Sequence, residues 1–368
     1  MDDNPLARLR ARGQSVWLEE IHRRMLADGT LARLIASDGL AGLTSNAGVF
    51  ARAITTHAEY QAAVAELRGK IATVGELYDA IVLDDIRRAA DLFRIVHERT
   101  RGRDGFVCVG VSPHLAYDAQ ATIVAARQLR HRLERTNVMI KVPATRAGLA
   151  ASRALIAEGI SVNVTLLGSP ERYRAAAEAY LGGLEERIER GGEPDAVASV
   201  ATFYVSRIDA LVDRELDEHA GQGRGEARAL RGRAATALAD RAYELYRQGC
   251  DSPRWRTLAA RGAQPQRLLW ASASTKDPRF GDLRYVESLI APETVITLSL
   301  ETLAAYRDHG KGGIGLGGPT EDTGRVLRGL AALGIDLDRL AEQHETEGVR
   351  ALIEPFDEVQ RWLEARSR

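Results

Sequence analysis

The sequence has few cysteines, no long apolar segment and almost no net charge. Its two cysteines, Cys108 and Cys250, are too few for a disulfide framework or a cysteine zinc site, so we expect a reducing, cytoplasmic environment. No apolar run approaches the roughly 20 residues of a membrane-spanning helix, and residues 1–12 lack the apolar core of a signal peptide. The 50 basic and 51 acidic side chains nearly cancel, which argues against nucleic acid or an anionic membrane as partner.

Several common catalytic signatures are also missing. None of the eight histidines has a metal-ligand spacing, and there is no nucleophile elbow around a serine. The glycine-rich segment 311–319 lacks the Gly-Lys-Ser/Thr ending of a phosphate-binding P-loop. We therefore interpret that segment as a mobile loop.

What is present is a regular alternation of short apolar segments with helical patterns. The alternation predicts a parallel sheet, and eight such units predict a closed α/β barrel with its site at the strands' carboxyl ends. We expect one (β/α)8 TIM barrel domain over residues 1–368, with extra C-terminal helices. The predicted strands are 15–20, 39–46, 106–111, 137–143, 161–167, 199–206, 267–272 and 294–299. The predicted helices are one from about residue 56, then 72–99, 119–135, 146–158, 170–190, 207–247, 320–332 and 344–366.

The predicted strand 137–143 places one lysine, Lys141, among apolar residues. A lysine in such a setting loses water around its ammonium group, which favours the neutral amine. A neutral amine is a nucleophile suited to forming a Schiff base with a ketone. The alternative is a lysine whose side chain extends from the strand end into solvent.

Other polar residues interrupt the predicted strands near their carboxyl ends. A single Thr or Asn at such a place often only caps a helix or turn. Eight residues from six strands favour a polar pocket instead: Glu19, Asn46, Lys141, Asn163, Thr165, Thr202, Tyr204 and Ser272.

Schiff-base chemistry also needs a proton carrier, and a phosphorylated substrate needs an anion site. Glu19 and Tyr204 are the candidate proton carriers. Arg207 and Lys276 follow two predicted strands, and the guanidinium of Arg207 has the fork geometry for bidentate phosphate contact. The alternative for Arg207 is an ion pair with Asp209 or Asp213.

Long motifs of the chain resemble those of the transaldolases in their longer bacterial form. They lie in family order at residues 13–18, 43–46, 138–145, 162–167, 205–209, 269–272 and 285–286. The resemblance implies a class I aldolase barrel that transfers a dihydroxyacetone unit between sugar phosphates such as fructose 6-phosphate and sedoheptulose 7-phosphate. It also implies that no metal or organic cofactor is used, and a place in the pentose phosphate pathway.

The resemblance assigns roles residue by residue. Lys141 matches the Schiff-base lysine, and Thr165 matches the threonine that helps to place the catalytic water. Asn46 and Asn163 match asparagines that hold substrate hydroxyl groups, and Arg207 matches the phosphate-binding arginine, with Ser272 and Lys276 in the neighbouring phosphate-site segment. Thr44 and Thr202 are further candidate substrate-binding residues.

The chain also departs from the family pattern. The strand-one acid, usually Asp, is Glu19, and the acid that usually ends strand three is replaced by Gly110. Tyr204 stands where transaldolases have phenylalanine and where the related fructose 6-phosphate aldolases have a tyrosine acid/base. Smaller departures are Ala47 for proline, Thr202 for serine, and the sequence Ile-Thr-Leu-Ser at 296–299.

Three functions remain open on the sequence. The first is a transaldolase, and the second is an aldolase or specialised sugar enzyme that uses Tyr204. The third is a non-catalytic barrel, since loss of a general acid/base removes roughly 10²–10⁴-fold of rate. Retention of Lys141 argues against the third, because burying an unpaired lysine has no benefit for stability. Long C-terminal helices are compatible with a homodimer.

Overall fold

Eight parallel strands close into a barrel in the order in which they occur in the sequence. The computed structural model describes residues 4–275, 277, 279–313, 315–317 and 321–367. Each strand pairs with the next, and β8 pairs with β1, which confirms the predicted (β/α)8 TIM barrel. The strands are β1 Ser15–Leu18, β2 Gly42–Thr44, β3 Phe106–Gly110, β4 Val138–Pro143, β5 Val162–Leu167, β6 Ser199–Tyr204, β7 Arg267–Ala271 and β8 Val295–Leu298.

Helices surround the barrel and follow each strand. They are α1 Pro5–Ala11, α2 Arg23–Ala27, α3 Thr30–Ser37, α4 Ala47–Thr56, α5 Ala58–Leu67, α6 Val74–Arg99, α7 Ala119–Leu133, α8 Arg146–Ala157, α9 Pro170–Glu189, α10 Val205–Gly221, α11 Ala234–Cys250, α12 Pro253–Ala259, α13 Arg284–Ser288, α14 Leu300–His309, α15 Glu321–Ala332 and α16 Leu337–Ser367. Short 3₁₀ helices occupy Pro113–Leu115, Pro194–Ala196 and Gly225–Leu230. In the described part of the chain, no helix combines the length and apolar character that crossing a membrane requires.

Several predicted bounds were wrong. The strand expected at 199–206 ends at Tyr204, and α10 begins at Val205 rather than at Arg207. The apolar side chain of Val205 can be buried either at the end of a strand or in the first turn of a helix. The spacing of apolar residues alone could therefore not distinguish strand from helix at this position. The strand at 39–46 shortens to 42–44, because Asn46 already caps α4.

The long helical stretches also divide differently. The helix expected at 207–247 is broken between α10 and α11, where Gly223 and Gly232 have φ angles of +88° and +64°. Such backbone angles favour glycine and end a helix. The last helix begins at Leu337 rather than at 344, and it accommodates Pro355 internally.

The glycine-rich segment expected to be a mobile loop has anchored parts. The backbone N–H groups of Lys311 and Gly313 donate to Glu287, at 2.7 and 3.1 Å. The N–H of Gly317 donates to Asp240 at 3.0 Å. Residues 314 and 318–319 of this segment lie outside the described residues.

The amino-terminal end of the barrel interior is filled and sealed. The Trp17 indole occupies the space above Gly42, where a Cβ would lie 2.5 Å from the ring. A buried cluster lies around it: the Arg267 guanidinium contacts Asp104 at 2.8 Å and donates to Ser15 at 2.8 Å. The Trp17 N–H donates to Asp104 at 3.2 Å. In the part of the chain that the structure describes, this packing closes the amino ends of the strands and leaves the carboxyl ends for chemistry, as is general for this fold.

The C-terminal helix α16 lies across the carboxyl-end mouth of the barrel. Its Gly348 approaches the end of β5 so closely that a Cβ would lie 2.8 Å from the Leu166 side chain. Leu166 itself sits at an irregularity of β5, with φ at +67°. Close approach at Gly348 makes α16 one wall of the mouth.

Candidate active site

A cavity of about 400 Å³ opens at the carboxyl ends of the strands. Eight of the side chains predicted from the sequence line it: Glu19, Thr44, Asn46, Lys141, Thr202, Tyr204, Arg207 and Ser272. Asn163 and Thr165 do not line it, and Lys276 lies outside the described residues. The cavity wall also includes Gly348, Ala351 and Leu352 of α16.

Lys141 is held inside the barrel by strand alternation. Met139, two residues earlier on β4, packs in the barrel interior, and Lys141 faces the same way. The side chain is 6% exposed, so it does not extend into bulk solvent. Its Nζ lies 3.4 Å from Thr44 Oγ1 and 3.3 Å from the Ser45 carbonyl oxygen. Within the described ranges no carboxylate forms an ion pair with Lys141, so neutral oxygens surround the amine.

Tyr204 ends β6 beside this lysine and is buried. Lys141 Nζ lies 6.0 Å from its ring centroid, and the Arg207 guanidinium carbon lies 5.3 Å from it. Burial tends to raise the pKa of the phenol, but the charge of Lys141, the Thr165 hydroxyl and the charge of Arg207 outweigh it. The pKa of Tyr204 is therefore below its ordinary value of 10. A phenol so placed exchanges a proton more readily than a solvated tyrosine.

Asn163 and Thr165 are buried residues of β5, where Asn163 pairs with Lys141 and Thr165 pairs with Pro143. The Asn163 side chain accepts a hydrogen bond from Thr202 Oγ1 at 2.7 Å and donates to Cys108 Sγ at 3.4 Å. The Thr165 hydroxyl is buried and makes no hydrogen bond of normal geometry among the residues described. It nonetheless lies close enough to the Tyr204 phenol to favour ionisation. Thr165 is thus a buried hydroxyl group beside the Tyr204 phenol.

Asn46 has two contacts at once. Its Oδ1 accepts from the Val49 N–H at 3.0 Å and caps α4, while the side chain also faces the cavity. Asn46 therefore both caps a helix and lines the cavity, so the two interpretations considered from the sequence apply to it together.

Arg207 and Ser272 form the side of the cavity at α10 and β7. The Arg207 side chain is exposed to the cavity, and the alternative ion pairs are not formed. Asp209 instead accepts hydrogen bonds from the Ala235 N–H at 2.7 Å and the Tyr285 hydroxyl at 2.9 Å. Asp213 accepts from the Gly232 N–H at 2.8 Å.

Ser272 adds a second polar group to this side of the cavity. It has φ of +56°, and its Oγ is 2.9 Å from the Ser206 Oγ. With the Arg207 guanidinium left unneutralised by these acids, this side of the cavity suits an anion.

The strand-one acid also lines the cavity, next to β8. Glu19 follows β1, and its carboxylate accepts a hydrogen bond from Thr297 Oγ1 at 3.2 Å. Glu20, the next residue, also borders the cavity. Two carboxylates thus flank the site.

Gly110 ends β3 directly opposite Lys141 in the β3–β4 ladder. No heavy atom lies within 4 Å of the position that a Cβ would occupy there. A second cavity, of about 170 Å³, is bordered by both Gly110 and Asn46. The position paired with Lys141, at which the resemblance to transaldolases leads us to expect a carboxylate, is therefore open space.

Sequence reasoning missed the contribution of α16. Gly348, Ala351 and Leu352 border the cavity, and His344 packs on Tyr204. The amphipathic pattern of α16 indicates a buried face but does not say which end of the barrel it covers. Among the described residues, no three His, Cys, Asp or Glu side chains are grouped so as to hold a metal ion.

Comparison with known proteins places this site in a family. The profile of the Transaldolase/Fructose-6-phosphate aldolase family matches residues 16–363. A transaldolase of Frankia alni is 43% identical over 361 residues, which cover 97% of this chain and 95% of the relative. A transaldolase of Thiobacillus denitrificans is 44% identical over 338 residues, covering 92% and 93% of the two chains. Transaldolase 2 of Nostoc sp. is 37% identical over 382 residues, covering 99% and 97%. The chain therefore belongs to the transaldolase/fructose-6-phosphate aldolase family.

Proposed function

We propose that this chain is a transferase that moves a dihydroxyacetone unit between sugar phosphates through a Schiff base on Lys141. The observation that carries the proposal is a buried lysine amine, surrounded by neutral oxygens, in a cavity whose other side presents the Arg207 guanidinium. Family membership and the transaldolase relatives support the same reaction class.

In the proposed reaction the Lys141 amine adds to the donor ketone and forms a carbinolamine. Loss of water gives the protonated Schiff base. When the hydroxyl on the β-carbon gives up its proton, the bond between the α- and β-carbons breaks and its electrons pass to the positive nitrogen. Cleavage releases an aldehyde phosphate and leaves a three-carbon enamine on the lysine. The enamine then attacks an acceptor aldehyde, and water hydrolyses the new Schiff base to release the product ketose.

Each step moves a proton, and we assign this task to Tyr204 and Glu19. Tyr204 is the stronger candidate because its phenol lies beside Lys141, and the positive charge of the Lys141 ammonium lowers the pKa of the phenol. Thr165 lies near the same phenol and is proposed to hold the water used in dehydration and hydrolysis. These assignments compensate for Gly110, which supplies no acid.

We assign the phosphate to the Arg207 side of the cavity, with Ser272 and Lys276 completing the anion site. Thr44, Asn46 and Thr202 line the same cavity as Lys141 and Arg207, and we assign them to the substrate hydroxyl groups. Asn163 is proposed to act through Thr202, to which it is hydrogen-bonded.

A second activity is favoured by one pair of residues. With Gly110 in place of an acid and Tyr204 in place of phenylalanine, the enamine can be protonated by the phenol. Protonation of the enamine followed by hydrolysis releases free dihydroxyacetone, which is aldol cleavage rather than transfer. A non-catalytic barrel is the remaining alternative from the sequence.

One assay separates these functions. The protein is incubated with fructose 6-phosphate, with and without erythrose 4-phosphate, while sedoheptulose 7-phosphate, glyceraldehyde 3-phosphate and dihydroxyacetone are followed together. Sedoheptulose 7-phosphate without free dihydroxyacetone is the expected result. Free dihydroxyacetone assigns the aldolase activity, and the absence of all products with wild-type protein contradicts the proposal for these substrates. Lys141→Met, which keeps the side-chain volume, is the inactive control.

The organisation of the protein is proposed from the same reasoning. Residues 1–368 are taken as one domain that works in the cytoplasm, and the exposed surface of the C-terminal helices is taken as a homodimer contact. Light scattering of the purified chain checks the oligomeric state, for which a monomeric mass would contradict the dimer.

A further inference from the structure

His344 of α16 packs against Tyr204 although the cavity does not reach it. The two ring centroids are 5.9 Å apart and the ring planes are inclined by 50°. The His344 side chain is only 2% exposed. The Arg207 guanidinium carbon lies 5.3 Å from the centroid of the same tyrosine ring. Tyr204 thus has an aromatic neighbour from the C-terminal helix and a cation from α10.

The room for the imidazole comes from a glycine at the junction of β5 and α9. A Cβ on Gly168 would lie 3.1 Å from His344 Cδ2 and 3.3 Å from Ala341 Cα. A larger residue at 168 would therefore push the imidazole or the helix away from Tyr204. Gly348, one turn further along α16, makes a comparably close approach to Leu166. Two glycine contacts fix the depth at which α16 lies on the barrel.

The contact between His344 and Tyr204 is made by ring packing rather than by charge. Burial, and next the charge of Arg207, lower the pKa of His344 to about 4, while Glu347 acts in the opposite direction. The imidazole is therefore neutral near pH 7. Its Nε2 makes no hydrogen bond with any part of the chain that the structure describes. His344 therefore contacts Tyr204 as a neutral, buried aromatic ring.

We propose that His344 is a positioning residue that holds the Tyr204 ring in the rotamer that directs its phenol towards Lys141 and Thr165. Removal of the imidazole opens a gap between α16 and β6, and the tyrosine ring can then turn into it. The phenol would leave the field of Lys141 while it remains shielded from water. The inference rests on the proposed role of Tyr204 for its kinetic consequence, but not for its structural one.

The structural consequence is tested by titrating the phenol. The absorbance of ionised tyrosine is recorded against pH for the wild type, and the curve of Tyr204→Phe is subtracted to isolate Tyr204. His344→Leu is expected to raise the pKa of this phenol, because the lowering effect of Lys141 and Thr165 is lost. His344→Phe, which restores a ring, is expected to bring the pKa back towards the wild-type value. An unchanged pKa in His344→Leu overturns the proposal.

The kinetic consequence is tested by a double-mutant cycle. His344→Leu is expected to lower kcat about 10- to 100-fold with little change in KM, as for a misplaced catalytic group. In a Tyr204→Phe background the same substitution should change kcat by less than about 2-fold, because the group that it positions is gone. An equal loss in both backgrounds overturns the positioning role.

A control and a separate readout keep the two proposals distinguishable. Val359→Ala, at a fully buried site of the same helix, is expected to lower stability while kcat stays unchanged. Failure of wild-type protein to form a borohydride-reducible adduct at Lys141 would overturn the proposed function. The phenol titration would still decide whether His344 positions Tyr204.

Discussion

Gly110 faces Lys141 across the β3–β4 ladder without a side chain, and the space beside it is open. A proton carrier for the Schiff base must then come from elsewhere in the cavity. Tyr204 is the group with the right location and a lowered pKa. We propose that Gly110 and Tyr204 are linked, and that Tyr204 has taken over the proton transfer that an acid at position 110 would perform.

This relocation predicts a rescue. Tyr204→Phe should lower kcat for dihydroxyacetone transfer by roughly 10²-fold, the lower end of what a general acid/base contributes. Adding Gly110→Glu to that variant should restore at least about 10-fold of the loss, because a carboxylate fits the open space beside Lys141. Steady-state kinetics with fructose 6-phosphate and erythrose 4-phosphate measure both effects.

Gly110→Ala is the matched control for the rescue. It adds a Cβ without an acid and should leave the rate of Tyr204→Phe unchanged. If Gly110→Glu restores no more activity than Gly110→Ala does, proton transfer is not the role shared by the two positions.

The C-terminal helix α16 contributes to the site in a way that was not predicted. A helix was expected at 344–366, but its place across the mouth of the barrel was not. It supplies Gly348, Ala351 and Leu352 to the cavity wall and brings His344 to Tyr204. Its position depends on backbone contacts at Gly168 and Gly348 that are created only when the helix docks.

Burial of His344 makes the docking of α16 sensitive to acid. The pKa of its imidazole falls to about 4, below the 6.5 of an unfolded histidine, so the folded state prefers the neutral form. This contribution to stability is complete above pH 6.5 and is lost as the pH falls from 6.5 towards 4. The wild type should lose about 2 kcal/mol between pH 8 and pH 5 relative to His344→Leu, which cannot titrate.

Urea unfolding of both proteins at the two pH values measures this difference. The comparison with His344→Leu removes the effect of carboxylates that titrate in both chains. Equal pH dependence of the two proteins would mean that the imidazole is solvated or paired in the folded state.

The sequence predicted some parts of this molecule and missed others for identifiable reasons. Apolar strands alternating with helices are enough to specify the barrel, and the apolar run around Lys141 is enough to place that lysine inside it. The end of β6 was missed because Val205 is suited to both a strand and a helix. Asn163 pairs with Lys141 in the sheet but does not line the cavity, because its side chain is hydrogen-bonded to Thr202, a tertiary contact that the strand pattern does not show.

The two ends of the barrel have different roles: the amino-terminal end contributes to stability, and the carboxyl-terminal end holds the candidate active site. The amino-terminal end is closed by the buried Arg267–Asp104 pair with Ser15 and Trp17, whereas the polar cavity occupies the opposite end. A change at the closed end should therefore alter folding without altering the reaction.

Arg267→Met tests this separation. It leaves the Asp104 carboxylate buried without its cation and should lower the free energy of unfolding by about 3–5 kcal/mol, with kcat unchanged. Arg127→Met, which breaks the partly exposed pair with Glu158, is the control and should cost at most about 1 kcal/mol. A similar small loss in both variants would mean that the Arg267 pair is not a buried one.

Borohydride trapping is a direct test of the proposed Schiff base on Lys141. The protein is incubated with fructose 6-phosphate, reduced with borohydride and digested, and the peptides are mapped by mass spectrometry. Assignment is simple because the chain has four lysines, Lys70, Lys141, Lys276 and Lys311. We expect a reduced three-carbon adduct on Lys141 that is absent from Lys141→Met. An adduct on another lysine, or turnover by Lys141→Met, would contradict it.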